Sequence, residues 1–290
     1  MRENLLVPPV ASQEGNTVQA PVIIEPRRGS LSLDLHELWE YRELLYFFVW
    51  RDIKVRYKQT VLGGIWVILQ PLMPMIMFSI IFGVLVKVPS DNIPYPIFTY
   101  AALLPWQLFA FTFYASSQSL VNNQGLVTKV YFPRLLVPLS VILGGLVDFL
   151  IPLPLLIGMM YFYGIKLTWA ALTMPLFLVL TLLISLAMGL WSSALNVQYH
   201  DVHHVINFST QFLMFATPIF YSAGIVPEKW RLLYGLNPMV GVVQGFRWAL
   251  LGHGQRLDPS VFLSVPIVIV LLISGLIYFH RVEKTFADYL

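Results

Sequence analysis

Cysteine is missing from all 290 positions, which excludes disulfides and thiolate metal sites and leaves the redox compartment open. Charge is scarce as well: 11% of residues are Asp, Glu, Lys or Arg, against roughly 25% in ordinary soluble domains. Apolar residues take that place, at 57% of the chain and a mean hydropathy of +0.71. Such a chain is an integral membrane protein, and the unit to count is the span. The formal net charge of +3 is too small for a phosphate-neutralising surface and argues against a nucleic-acid partner. No glycine is followed by lysine anywhere, so there is no phosphate-cradling G-x-x-x-x-G-K-[ST] loop; if ATP is used, another subunit binds it. Nor is there an acidic pair suited to general acid–base work. The first thirty residues lack the apolar core of a cleaved signal and read as a flexible tail over 1–33.

What is there begins at "DLHELWEYRELLYFFVWRD". Asp34 with Glu37 has the capping-box spacing, and apolar residues then recur near helical period, which predicts an amphipathic interface helix over 34–58. Arg51, Lys54, Arg56 and Lys58 close it, and no charge follows until Lys87. The rest, 59–290, reads as an all-helical transmembrane domain of six spans, at about 61–86, 97–121, 135–163, 171–195, 205–226 and 261–280. An even number puts both termini on one side. That side is cytoplasmic by the positive-inside rule: the four cations before the first span, Lys129 and Arg134 after the second, and Arg281 and Lys284 after the last all fall there. Lys87, Lys166, Lys229, Arg231, Arg247 and Arg256 fall on the other. The stretch "NPMVGVVQGFRWALLG" before the last span is too short to cross and reads as short re-entrant or interfacial helices.

Few residues suggest chemistry. Asp148 is the only acidic side chain deep in a span; it is either functional or paired with a polar neighbour for helix packing. His200, His203 and His204 share a helical face, yet with Asp201 as the only nearby carboxylate no metal site is expected. Aromatics at span ends, Trp66 and Trp106 among them, belong by default to the interfacial belt. Flat aromatic faces also stack on sugars, so Trp66, Trp106, Phe109 and Tyr114 are candidate channel aromatics.

Four stretches in order, "VRYKQTVLGGIWVILQPL", "NNQGLVTKVYFPRLLVPLS", "TPIFYS" and "NPM", resemble the permeases of type-2 ATP-binding-cassette exporters that move O-antigen, teichoic acid or related lipid-linked polysaccharides. The likeness covers about residues 35–285. It implies a homodimer joined to two copies of a separate ATPase, which binds the ATP and Mg, with no cofactor in this chain. Short cytoplasmic elements would receive the ATPase's motion: Trp50 on the interface helix, Asn123, Lys129, Tyr131, Phe132 and Arg134 in the second-to-third loop, and His200. Short outer helices would shape a gate around Asn237, Pro238, Gln244 and Arg247. The substrate would be a polyprenyl-diphosphate-linked glycan, whose diphosphate Arg51, Lys54, Arg56 and Lys58 would attract at the inner leaflet, unless those cations serve topology alone.

The resulting expectation is the permease of a polysaccharide exporter in a bacterial inner membrane, without enzymatic activity. Two rivals stand beside it. An exporter of a drug or another small hydrophobic molecule has the same architecture, and a membrane glycosyltransferase would need an acidic cluster that the sequence lacks.

Overall fold

A computed structural model of the chain describes residues 35–58, 63–199, 201–252, 260–284 and 286. Contacts divide the chain into Met1–Ser32 and Leu33–Leu290, and every described residue belongs to the second unit. Among the described residues there are helices, turns and no strand.

The expected interface helix forms in two pieces, α1 (Leu35–Glu40) and α2 (Arg42–Lys58). Its expected cap, Asp34, lies outside the described residues. α2 is less two-sided than its spacing suggested. Phe48 is buried and Leu44 and Leu45 pack inward beside it, while Tyr46, Phe47 and Trp50 remain exposed along another face. α3 (Ile65–Phe78) runs on into a π-helical stretch, Ser79–Leu85, and α4 (Tyr95–Asn122) follows, then the single turn α5 (Gln124–Val127). α6 (Leu136–Leu150) and α7 (Leu153–Phe162) make one apolar stretch interrupted at Ile151–Pro152. The interruption has a local cause: Pro152 and Pro154 cannot donate to the carbonyls of Asp148 and Leu150. At the break the Tyr100 hydroxyl donates to the Pro152 carbonyl at 3.2 Å. α8 (Met174–Gln198), α9 (Val202–Ala216), α10 (Glu228–Gly235), α11 (Pro238–Leu251) and α12 (Ser260–Glu283) complete the order.

Five stretches of described residues are long and apolar enough to cross a bilayer: Ile65–Leu85, Tyr95–Asn122, Leu136–Phe162, Trp169–Gln198 and Val261–Glu283. They fall where the first, second, third, fourth and sixth spans were expected. The expected fifth, 205–226, differs. α9 has 15 residues, about 22 Å by helical rise, short of the roughly 30 Å hydrocarbon core. Beyond it Thr217–Phe220 continue as a buried, non-helical segment, because Thr217 leaves helical geometry with ψ 143° ahead of Pro218.

α4 is the axis of the molecule and packs against α8, α6, α11 and α3, with α12 behind α8 and α11 and α2 lying along α6. Small residues permit the closest crossings. A Cβ on Gly189 would collide with the Ser116 side chain, and one on Gly145 with that of Thr112, so α8 and α6 approach α4 almost backbone to backbone. A buried hydrogen bond from Thr112 to Ser185, 2.8 Å, reinforces the α4–α8 contact. The two ends of this bundle are distinguishable. At one, the Tyr95 hydroxyl donates to the Phe220 carbonyl at 2.6 Å; at the other, Asn122 and His203 border one cleft.

Candidate functional site

At the Asn122 end the second-to-third loop is built from the inside out. Phe132 is 5% exposed and meets the Phe48 ring of α2 edge-on at 5.6 Å, within a cluster that includes Phe279 and Phe286. Arg134 donates to the Glu283 carbonyl and lies 5.8 Å over the Phe286 ring. Asn123 ends α4 by donating to the Ser119 carbonyl at 2.8 Å. With those three side chains turned inward, Lys129, Val130 and Tyr131 are presented outward, Tyr131 at 75% exposure. Trp50 is exposed nearby on α2; His200 lies outside the described residues. Of the expected coupling residues, Phe132, Arg134 and Asn123 hold the loop in place, and Lys129, Tyr131 and Trp50 are available to a partner.

Beside this loop a cleft of about 720 Å³ opens between α2 and α4, reaching from Asn122, Asn123 and His203 up to Phe111. Two of the expected headgroup cations, Arg51 and Arg56, line it, with Tyr114 opposite. Lys54 and Lys58 are exposed outside it. Each of the two arginines is already matched to a carboxylate. Arg51 holds Asp52 at 2.8 Å, and Asp52 also accepts from Ser140 on α6 at 3.4 Å.

Arg56 reaches further in. Its guanidinium donates to one oxygen of Asp148 while the Tyr57 hydroxyl donates to the other, and it lies 4.4 Å over the Phe111 ring. Asp148 stands near the middle of the apolar stretch Leu136–Phe162, so the headgroup layer expected of Arg56 is not where its charge ends. Burial, and then the facing carboxylate, raise Tyr57 above the usual tyrosine value, which keeps its hydroxyl a donor. Above the pair a small cavity of about 30 Å³ is lined by Gln70, Gln107, Phe111 and Asp148.

The α4 wall of the cleft has a pattern that the sequence reading passed over. Gln107, Phe111, Tyr114, Gln118 and Asn122 follow one another at helical spacing and remain partly or fully exposed on a helix that is otherwise enclosed. Two rings flanked by amides on one face suit a hydroxyl-rich ligand: the amides donate and accept, and the rings cover C–H surface. The signal was present, since polar residues at positions 107, 118 and 122 recur at the helix period inside a span that is otherwise largely apolar. Of the proposed channel aromatics Tyr114 alone lines this cleft. Trp66 is exposed on α3, while Trp106 and Phe109 are 3% and 0% exposed within the core.

The expected outer-gate residues cluster at the Tyr95 end. Asn237 caps α11 by accepting from Met239 N at 3.1 Å and donates to Thr217 Oγ1 at 2.9 Å, with Pro238 at the first helical position. Arg247, 8% exposed, donates to the carbonyls of Phe98 at 3.1 Å and Ile219 at 2.6 Å, and stacks on the Phe98 ring at 3.5 Å. Burial lowers its pKa to about 9, still charged at neutral pH. Arg247 thereby ties α11 to α4 and to the segment after α9. Gln244 is partly exposed one turn before it.

A family model described as ABC-2 type transporter matches residues 43–251. The chain belongs to this family. It is 30% identical over 254 residues to the "O-antigen export system permease protein RfbA" of Myxococcus xanthus, covering 86% of this chain and 96% of that one. A protein of the same name from Klebsiella pneumoniae is 27% identical over 86% of this chain and 95% of its own. "Polysialic acid transport protein KpsM" of Escherichia coli is 25% identical over 80% of this chain and 91% of its own. As an ABC-2 permease the chain is a multi-pass membrane protein, and the matched region contains both the cleft and the loop carrying Tyr131. Among the described residues no His, Cys, Asp or Glu cluster has the makings of a metal site.

Proposed function

We propose that this ABC-2 chain is the permease subunit of an exporter that carries a lipid-linked, O-antigen-like polysaccharide across a bacterial inner membrane. Two copies work with two copies of a separate ATP-binding-cassette ATPase, which supplies the ATP and Mg site, and this chain does no covalent chemistry. The names of its relatives support a polysaccharide cargo. The observation that carries the reading is the cleft. Arg51 and Arg56 offer planar donors to a diphosphate at its mouth, and the amide-and-ring face of α4 offers a glycan a surface leading inward. The exposed Lys129–Tyr131 tip, braced by Phe132 and Arg134, is the contact through which ATPase closure reaches the spans, each turnover favouring one state by differential binding.

In this reading the chain crosses six times with both termini cytoplasmic. α9 starts beside Asn122 and the segment after it ends beside Tyr95, so residues 202–220 run the length of α4 and supply the fifth crossing in chain order. α10 and α11 are the short outer helices, and α11, buried along nearly all its length, dips back against α4.

The test uses the permease and its ATPase purified together in proteoliposomes loaded with a polyprenyl-diphosphate glycan. Export is expected to need both subunits and to fall at least tenfold in Arg51→Gln/Arg56→Gln, with insertion unchanged. Export by the permease alone, or undiminished export by the double variant, overturns the proposal.

A further inference from the structure

Asp148 raises a question that the diphosphate reading leaves open. Arg56 is offered to a ligand, yet its charge is already taken by a carboxylate of the same chain. The pair is only partly covered: the side chains are 25% exposed for Arg56 and 17% for Asp148, and Arg56 lines the open cleft while Asp148 lines the small cavity behind it. Anything anionic that enters the cleft meets Arg56 and competes with Asp148 for its guanidinium. Asp148 has a second donor, Tyr57, so losing Arg56 would leave it hydrogen-bonded and lessen the cost of an unpaired carboxylate.

The pair is also one of the fastenings of α2 to α6. Ile53 lies 3.9 Å from where a Cβ on Gly144 would stand, and Asp52 meets Ser140, so the two helices run side by side up to Arg56. About two turns earlier α2 carries Phe48, packed on Phe132 of the loop that presents Tyr131. A change in how α2 is held at Arg56 is therefore carried along one rigid helix to the proposed ATPase contact.

We propose that Asp148 occupies the place of the substrate's diphosphate: a polyprenyl diphosphate entering the cleft takes Arg56 from Asp148, Tyr57 retains the released carboxylate, and the loosened α2 reports cargo to the coupling loop. This rests on the diphosphate reading above and adds to it an exchange that only a doubly charged headgroup drives. One carboxylate offers Arg56 a single negative charge; a diphosphate offers more than one, in bidentate geometry that also reaches Arg51.

Because the chain has no cysteine, a pair introduced as Ile53→Cys and Gly144→Cys reports the α2–α6 contact by copper-phenanthroline disulfide cross-linking. The full permease–ATPase complex is placed in nanodiscs of phosphatidylethanolamine and phosphatidylglycerol and titrated with farnesyl diphosphate, farnesol or inorganic pyrophosphate. Farnesyl diphosphate is expected to slow cross-linking at least threefold, and farnesol to leave it unchanged. Inorganic pyrophosphate should act only at higher concentration; equal potency would assign the site to a soluble diphosphate and overturn the lipid-borne form.

Binding separates the two claims. Arg56→Gln should weaken farnesyl diphosphate at least tenfold, whereas Asp148→Asn should tighten it about tenfold and slow cross-linking without ligand. If Arg56→Gln weakens binding but Asp148→Asn does not tighten it, the exchange is wrong and the diphosphate reading survives. If Arg51→Gln/Arg56→Gln binds like the parent protein, both fall. Should Asp148→Asn fail to fold, Tyr57→Phe serves instead: it leaves Arg56 in place but strands the released carboxylate, so affinity should drop several-fold, and unchanged affinity overturns the exchange.

Discussion

Arg247 and Phe132 illustrate how much a residue's surroundings change its meaning. In sequence Arg247 is a cation in an apolar stretch, expected beside an outer gate; in the fold its guanidinium also donates to the Phe98 and Ile219 carbonyls and stacks on the Phe98 ring. Arg247→Met should leave the Ile219 carbonyl without its guanidinium donor, at a cost of about 1–3 kcal/mol. Arg247→Lys should recover part of that, since an ammonium cannot fork between two carbonyls. Thermal unfolding of the detergent-solubilised complex, monitored by loss of monodisperse protein, measures both; equal melting of Arg247→Met and the parent would refute the fastening role. Phe132 and Tyr131 are neighbours with opposite expectations. Phe132→Ala empties a buried site and should cost about 3–5 kcal/mol. Tyr131→Ala, with its ring in solvent, should leave stability unchanged and lower the yield of co-purified ATPase. The aromatic run around them was legible from the start, but which ring turns inward depends on Phe48, far away in sequence.

Among the elements, α4 and its crossings carry the clearest prediction. Gly189→Leu drives a side chain into Ser116 where α8 meets α4, and overpacking of this kind costs about 1–3 kcal/mol when neighbours cannot yield. Gly158→Ala, on α7 with open space around its Cβ position, is the control and should melt like the parent. The same elements show where periodicity succeeds and stops. Long apolar runs identify Ile65–Leu85 or Val261–Glu283 from sequence alone, because no soluble environment accommodates them. α9 resists the same treatment: its apolar window extends past Thr217, but the helix ends there, since Pro218 restricts the residue before it and the following carbonyls are claimed by Arg247 and Tyr95.

For the whole molecule, the six-crossing arrangement makes a direct prediction. Single cysteines at Tyr131 and Ile225, both exposed, should react with an impermeant maleimide from opposite sides, Tyr131 from the cytoplasm and Ile225 from outside. Labelling of both from one side would remove α9 and its extension as a crossing. Composition by itself determined that this chain lives in a membrane and has no nucleotide loop of its own, because hydropathy and a missing motif are properties of the residues irrespective of their neighbours. The family likeness was legible for the same reason, in short stretches read along the chain. Only the tertiary structure decided that Arg56 pairs with Asp148, that Phe111, Tyr114, Gln118 and Asn122 wall a cleft, and that Arg247 is a fastening. Each depends on groups many residues apart being brought within a few ångströms. Such pairings are set by packing around α4, where small residues and side-chain shape fix the approach of helices that look alike in composition.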